Sequence, residues 1–147
     1  MNNASTESVT TRSSFLAGRN VLVAIAGAML VLIGARFLLV PEAAAEAFGV
    51  PMTDLTAYPQ AKGIRDLVFG VLLGTFFLMR ERRAAAVLML VGSVIAVADG
   101  FIVLAARGVQ PGFLAIHWGT AIVCALAGAL DLRSRTAPAV TSYSVSP

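Results

Sequence analysis

Five ionisable side chains lie inside apolar stretches of this chain: Arg36, Arg65, Asp66, Asp99 and His117. In such surroundings each needs a partner or a purpose. Asp99 and Asp66 are the residues suited to proton donation and removal, with His117 as a further acid/base group or an orienting donor. Arg36 or Arg65 could hold an oxygen or stabilise developing negative charge. The chemistry these types describe is isomerisation or cyclisation of a lipophilic small molecule such as a lipid, quinone, terpenoid or polyketide. Asp99, Asp66 and His117 would be its catalytic groups, and Arg36, Arg65 and Trp118 its ligand-binding groups. Proton transfer alone needs no cofactor. The chain has no glycine-rich phosphate loop, nucleophile signature or metal-ligand spacing, so neither cofactor nor metal is expected.

The elements that must position these groups are apolar helices. Of 147 residues 58% are hydrophobic and 13% charged, against about 25% charged in a soluble domain. Mean hydropathy is +0.84. A helix rises 1.5 Å per residue, so a hydrocarbon core of about 30 Å needs about 20 apolar residues. Four segments qualify: 20–40, 62–79, 83–106 and 112–132. The expected fold is an all-α, four-helix transmembrane bundle over 20–132, flanked by disordered cytoplasmic tails at 1–19 and 133–147 that are too polar to order themselves. Between the first two spans, Pro41 to Phe48 reads as a short helix, with proline at its first position and Gly49 just past its end. It is expected to lie flat on the membrane, with Phe48 and Val50 facing lipid. Lone Cys124 has no internal disulfide partner and reads as a packing residue.

Net charge is +3, but the cations flank apolar runs and form no patch with interleaved aromatics, which excludes a nucleic-acid footprint. They read as topology signals. Arg12, Arg19, Arg80, Arg82, Arg83, Arg133 and Arg135 fall on one side, Lys62 and Arg107 on the other. Cytoplasmic segments collect such residues, so both termini are expected in the cytoplasm of a cell whose inner (plasma) membrane holds the chain. Ten of the eleven cations are arginine, a usage expected of a GC-rich bacterial genome. The first apolar stretch is longer than the 7–15 residues usual in a secretory signal core, which disfavours cleavage after Ala43-Ala44-Ala45.

Counted from each span's midpoint, Arg36 lies roughly 9 Å toward the outer face, Arg65 and Asp66 roughly 8 Å, His117 roughly 7 Å and Asp99 roughly 6 Å. A polar layer beneath the outer surface follows. Asp66 shares a helix face with Gly63, Gly70 and Gly74, and Asp99 with Gly92 and Ala96. His117 shares one with Ala121, Cys124 and Gly128. Small residues let helices approach, so these faces should point inward. Arg36 and Arg65 lie off those faces and could snorkel.

The stretches Arg36-Phe-Leu-Leu-Val-Pro41, Ala47-Phe-Gly-Val-Pro51, Gly63-Ile-Arg-Asp-Leu-Val-Phe-Gly70, Ala98-Asp-Gly-Phe-Ile102 and His117-Trp-Gly119 together resemble domain-of-unknown-function family 4267, small membrane proteins of bacteria and fungi. The resemblance spans residues 21–132. It implies a four-helix membrane protein with Arg-Asp on the second span, Asp on the third and His early in the fourth, and it brings no activity. The architecture is also distantly similar to DoxX-like proteins.

Three readings of the layer remain. As a site for a lipophilic molecule, it predicts a pocket reaching Asp99 and His117. As a structural device, it predicts direct salt bridges and no cavity. A subunit of a larger assembly predicts a flat, exposed, small-residue face. A continuous proton path is disfavoured, because the inner half is almost purely apolar apart from Ser93.

Overall fold

The computed structural model describes the backbone of residues 3–50 and 57–133, and side chains from Asn20 to Val50 and from Tyr58 to Arg133. The described residues form five helices and no strand: α1 (Asn3–Leu39), α2 (Pro41–Phe48), α3 (Ala57–Leu78), α4 (Arg82–Arg107) and α5 (Pro111–Arg133). Where an irregular tail was expected over 1–19, α1 is helical from Asn3. The C-terminal tail lies outside the described residues from 134 onward.

Three stretches are long and apolar enough to cross a membrane: Asn20–Leu39, Arg82–Arg107 and Pro111–Arg133. The protein is thus compatible with a membrane environment. Helix α3 has 22 residues, but Lys62, Arg65 and Asp66 in its first half set it apart. Large apolar side chains such as Val21, Leu32, Val71, Val94, Ile122 and Leu126 face outward on all four long helices. Hydrocarbon is the solvent that suits such a surface.

The turns follow from local chemistry. A residue before proline is pushed out of the helical region, so α1 stops and Val40 becomes the N-cap of α2, with Pro41 at its first position. Gly49, at φ 98°, closes α2. Its N–H donates to Glu46 O (3.0 Å) and the N–H of Val50 to Ala45 O (3.0 Å), the double bond of a left-handed helix terminus. Helix α3 ends the same way, but Arg80 takes the left-handed position at φ 59°. The Arg80 and Glu81 N–H groups donate to Phe77 O (3.1 Å) and Phe76 O (2.8 Å).

Packing divides the long helices into two antiparallel pairs, α1 with α3 and α4 with α5. The first pair touches backbone to backbone. A Cβ built on Gly34 would stand 2.7 Å from Gly63 O, and one on Gly70 would stand 2.8 Å from Gly27 O. The seven-residue spacing of Gly27/Gly34 and Gly63/Gly70 thus forms one seam, one turn pair against another. In the second pair Gly128 meets Ala86 O and Leu90, and Gly100 lies under the Trp118 indole. The pairs meet in an apolar cluster toward the α3–α4 turn, where Leu73, Ala85 and Met89 pack with Leu22, Val23, Phe76, Cys124 and Ala127. At the opposite end Phe37, Ala44 and Ala45 pack with Phe48. Phe48 therefore does not face lipid as expected: its ring lies edge-on to Phe37 at 5.9 Å, because the turn at Gly49 directs the end of α2 inward. Val50 is half-buried.

Gly34→Val is expected to destabilise the protein by about 1–3 kcal/mol through overpacking of this seam. Gly92→Ala, where an added Cβ meets nothing within 4 Å, should be neutral or stabilising by up to about 1 kcal/mol from helix propensity. Unfolding in mixed detergent micelles measures both. Equal stability of the two variants would contradict the seam.

Candidate functional site

Helix α3 places Lys62 and Asp66 one turn apart on one face and Arg65 beside them. Opposite stands Asp99 from α4. Lys62 Nζ donates to Asp66 Oδ2 at 2.5 Å and to Asp99 Oδ2 at 3.3 Å. Arg65 Nε donates to Asp66 Oδ1 at 3.1 Å. The terminal Nη2 of Arg65 reaches Asp99 Oδ1 at 3.3 Å and Oδ2 at 3.1 Å. Two cations and two carboxylates form one neutral cluster, and every carboxylate oxygen accepts at least one bond. Asp66 and Asp99 are only 5% and 6% exposed. Arg65, at 35%, is the open side of the cluster.

Two rings cover Lys62. Its ammonium lies 5.0 Å from the Phe37 centroid and 4.5 Å from that of Phe48, where the negative faces of the rings attract a cation. Phe48 also carries the link to α5. Nε2 of His117 lies 3.1 Å from the Phe48 carbonyl, which only accepts, so Nε2 bears the proton. The His117 and Phe48 rings meet at 4.5 Å.

Of the residues singled out in the sequence, Arg65, Asp66 and Asp99 come together. His117 stands beside the cluster and reaches it only through Phe48. Arg36 is exposed and donates to Ala43 O at 3.4 Å, tying the end of α1 to α2 without joining the cluster. Trp118 lies edge-on to Phe101 at 5.6 Å. Its buried Nε1 has no hydrogen-bond partner among the described residues and is turned onto Gly100. Lys62 was read only as an outer topology charge. Its signal was its place four residues before Asp66, which puts both on one helix face.

Two larger openings lie elsewhere. A groove of about 450 Å³ between α4 and α5 is lined by Ser93, Val97, Phe101, Trp118, Ala121 and Ile122. Its one hydroxyl, Ser93 Oγ, is spent on Leu90 O at 2.6 Å. A cleft of about 450 Å³ opens at the α3–α4 turn. Neither includes Asp66, Asp99 or His117 in its lining. Among the described residues no group of His, Cys, Asp and Glu has the make-up of a metal site.

The profile of a family described as a domain of unknown function, DUF4267, matches residues 27–130, which takes in both helix pairs and the whole cluster. No curated protein and no solved structure matches the chain.

Removing one cation should leave a buried carboxylate uncompensated. Lys62→Met is therefore expected to cost about 3–5 kcal/mol of stability. Lys62→Met combined with Asp66→Asn restores neutrality with Arg65 and Asp99 still paired, and should cost less than the single change. Denaturant titration in detergent compares the two. Additive losses would show that the four groups do not act as a unit.

Proposed function

The chain belongs to the DUF4267 family, and from that premise we propose that it is a four-span inner-membrane protein whose ionic cluster clasps two helical hairpins together, acting as a non-enzymatic structural or accessory subunit. The observation that carries this reading is the direct pairing of Asp66 and Asp99 with Lys62 and Arg65. An acid/base residue must present an oxygen to a substrate. Here all four carboxylate oxygens already accept from cations, and the larger openings lie away from them.

Helix α3 is the second span. Its three charges are tolerable in lipid because they are answered within the protein, by one another and by Asp99. With Lys62 drawn into the cluster, Arg36 and Arg107 are the basic residues in the last turns at the outer end, while Arg80, Arg82, Arg83 and Arg133 mark the inner one, a bias that supports cytoplasmic termini.

A second reading keeps Asp99, Asp66 and His117 as acid/base groups, and Arg36, Arg65 and Trp118 as contacts, for a lipophilic molecule entering from the outer side. The exposure of Arg65 favours it, since that residue could swing away and free Asp99 Oδ1 while Lys62 stays on Oδ2.

Asp99→Asn and His117→Ala separate the two. The clasp reading expects Asp99→Asn to lower the amount of folded protein in the membrane and His117→Ala to lower it less. Normal abundance of both variants with loss of a host-cell phenotype would instead establish the site reading. Orientation is tested by fusions: alkaline phosphatase joined after Val109 should be active and after Arg83 inactive. The reverse pattern would overturn the topology.

A further inference from the structure

The cleft at the α3–α4 turn has a charged rim and an apolar floor. Arg80 and Arg82 line it together with Asn20, Phe76, Phe77 and Leu78. Neither arginine has an ion-pair partner among the described residues, although Arg82 is half-buried. Arg80 holds the left-handed position that glycine usually takes, at a cost of about 1–2 kcal/mol for a residue with a Cβ. Helix α4 begins at Arg82 without a side-chain cap; the Arg82 N–H donates to Arg80 O at 3.0 Å, and the following N–H groups of the first turn add positive potential at the same rim. Below the rim, Leu78 is 80% and Phe77 37% exposed, and both offer apolar surface along the hydrocarbon. Asp131 also lines the cleft, but it borders the deeper recess with Ala86, Met89 and Ala127 as well, and it has an interaction of its own.

We propose that this cleft binds an anionic phospholipid of the inner leaflet, with the phosphate between the Arg80 and Arg82 guanidinium groups and an acyl chain along Phe77 and Leu78. Guanidinium forks match phosphate oxygens in pairs. The charged rim beside an apolar wall fits an amphiphile and leaves free phosphate with half a site. This assignment rests on the four-span reading, which puts the α3–α4 turn at the inner membrane surface.

The test uses the full chain reconstituted in phosphatidylcholine vesicles, with insertion first verified by flotation after an alkaline wash. A chain that fails to float defeats the four-span reading itself, and the remaining arms address the cleft alone. Spin-labelled phosphatidylglycerol and phosphatidylcholine then report the relative association constant by electron paramagnetic resonance. Wild type should prefer phosphatidylglycerol by about twenty-fivefold, at about fivefold for each arginine. Arg80→Asn, which the left-handed backbone tolerates, and Arg82→Gln should each lower the preference about fivefold. Arg83→Gln, on the same turn but outside the cleft, should leave it within about twofold, the residue of a diffuse surface attraction. Equal losses in all three variants would reduce the site to general attraction between a basic turn and an anionic leaflet. Displacement of the labelled lipid by millimolar inorganic phosphate would show a phosphate site without a lipid, and either result overturns the proposal. Should a variant fail to fold, the wild-type protein still decides: phosphatidylglycerol added to detergent micelles should raise its unfolding temperature, and an equal rise with phosphatidylcholine counts against the site.

Discussion

The bridge between Asp99 on α4 and the cations Lys62 and Arg65 on α3 is the contact on which the rest of the arrangement depends. Each helix pair has a close seam of its own: glycines bring α1 to α3, and Gly100 and Gly128 bring α5 to α4. Between the pairs the contact is slight. In hydrocarbon no hydrophobic gain draws two such pairs together, since lipid chains are as apolar as the leucines they would replace. Asp99, whose partners among the described residues all stand on α3, supplies the pull that is otherwise missing, and the geometry of its bonds fixes which faces meet. The cost of burying them is met by completeness: two cations, two carboxylates, and an acceptor role for every carboxylate oxygen.

Around this joint the neighbouring features fall into place. Helix α2 would be a loose excursion without its inward-turned end. Phe48 contributes a ring face to Lys62, an edge to Phe37 and a carbonyl to His117, so one residue connects α1, α3 and α5. Gly49 makes this possible by closing α2 in a left-handed turn tight enough to sit against Val103 and Phe113. The aromatic pair over Lys62 also covers its ammonium, leaving the side chain only 14% exposed.

Much of this was readable in the residues. Length and apolar composition located the long helices, and Pro41 and Gly49 bounded α2. The small-residue faces carrying Asp66 and Asp99 pointed both carboxylates inward. What escaped was azimuth and reach. Depth counted along a helix put Arg36 level with the carboxylates but could not say which way its side chain turns, and it turns to Ala43 O. Lys62 reads as an outer topology charge because it opens a span, although a four-carbon stem lets an ammonium there reach one turn deeper. Phe48 was assigned to lipid from its place on a short surface helix, whereas the turn after it sets its direction. The contact of Trp118 with Gly100 joins residues on different helices, and no local pattern announces it.

The division of charge between the hairpins has a consequence for biogenesis. On the four-span reading proposed above, α1 and α3 would enter the membrane before α4 exists, because chains insert in order of synthesis. At that stage α3 holds Lys62 and Arg65 against Asp66 alone, so one of the two cations of the cluster lacks its carboxylate. On that reading an unanswered cation would disfavour release into bulk lipid and favour a wait where water and protein solvate it. Emergence of Asp99 would then complete the cluster and let the two halves settle in lipid as one balanced unit.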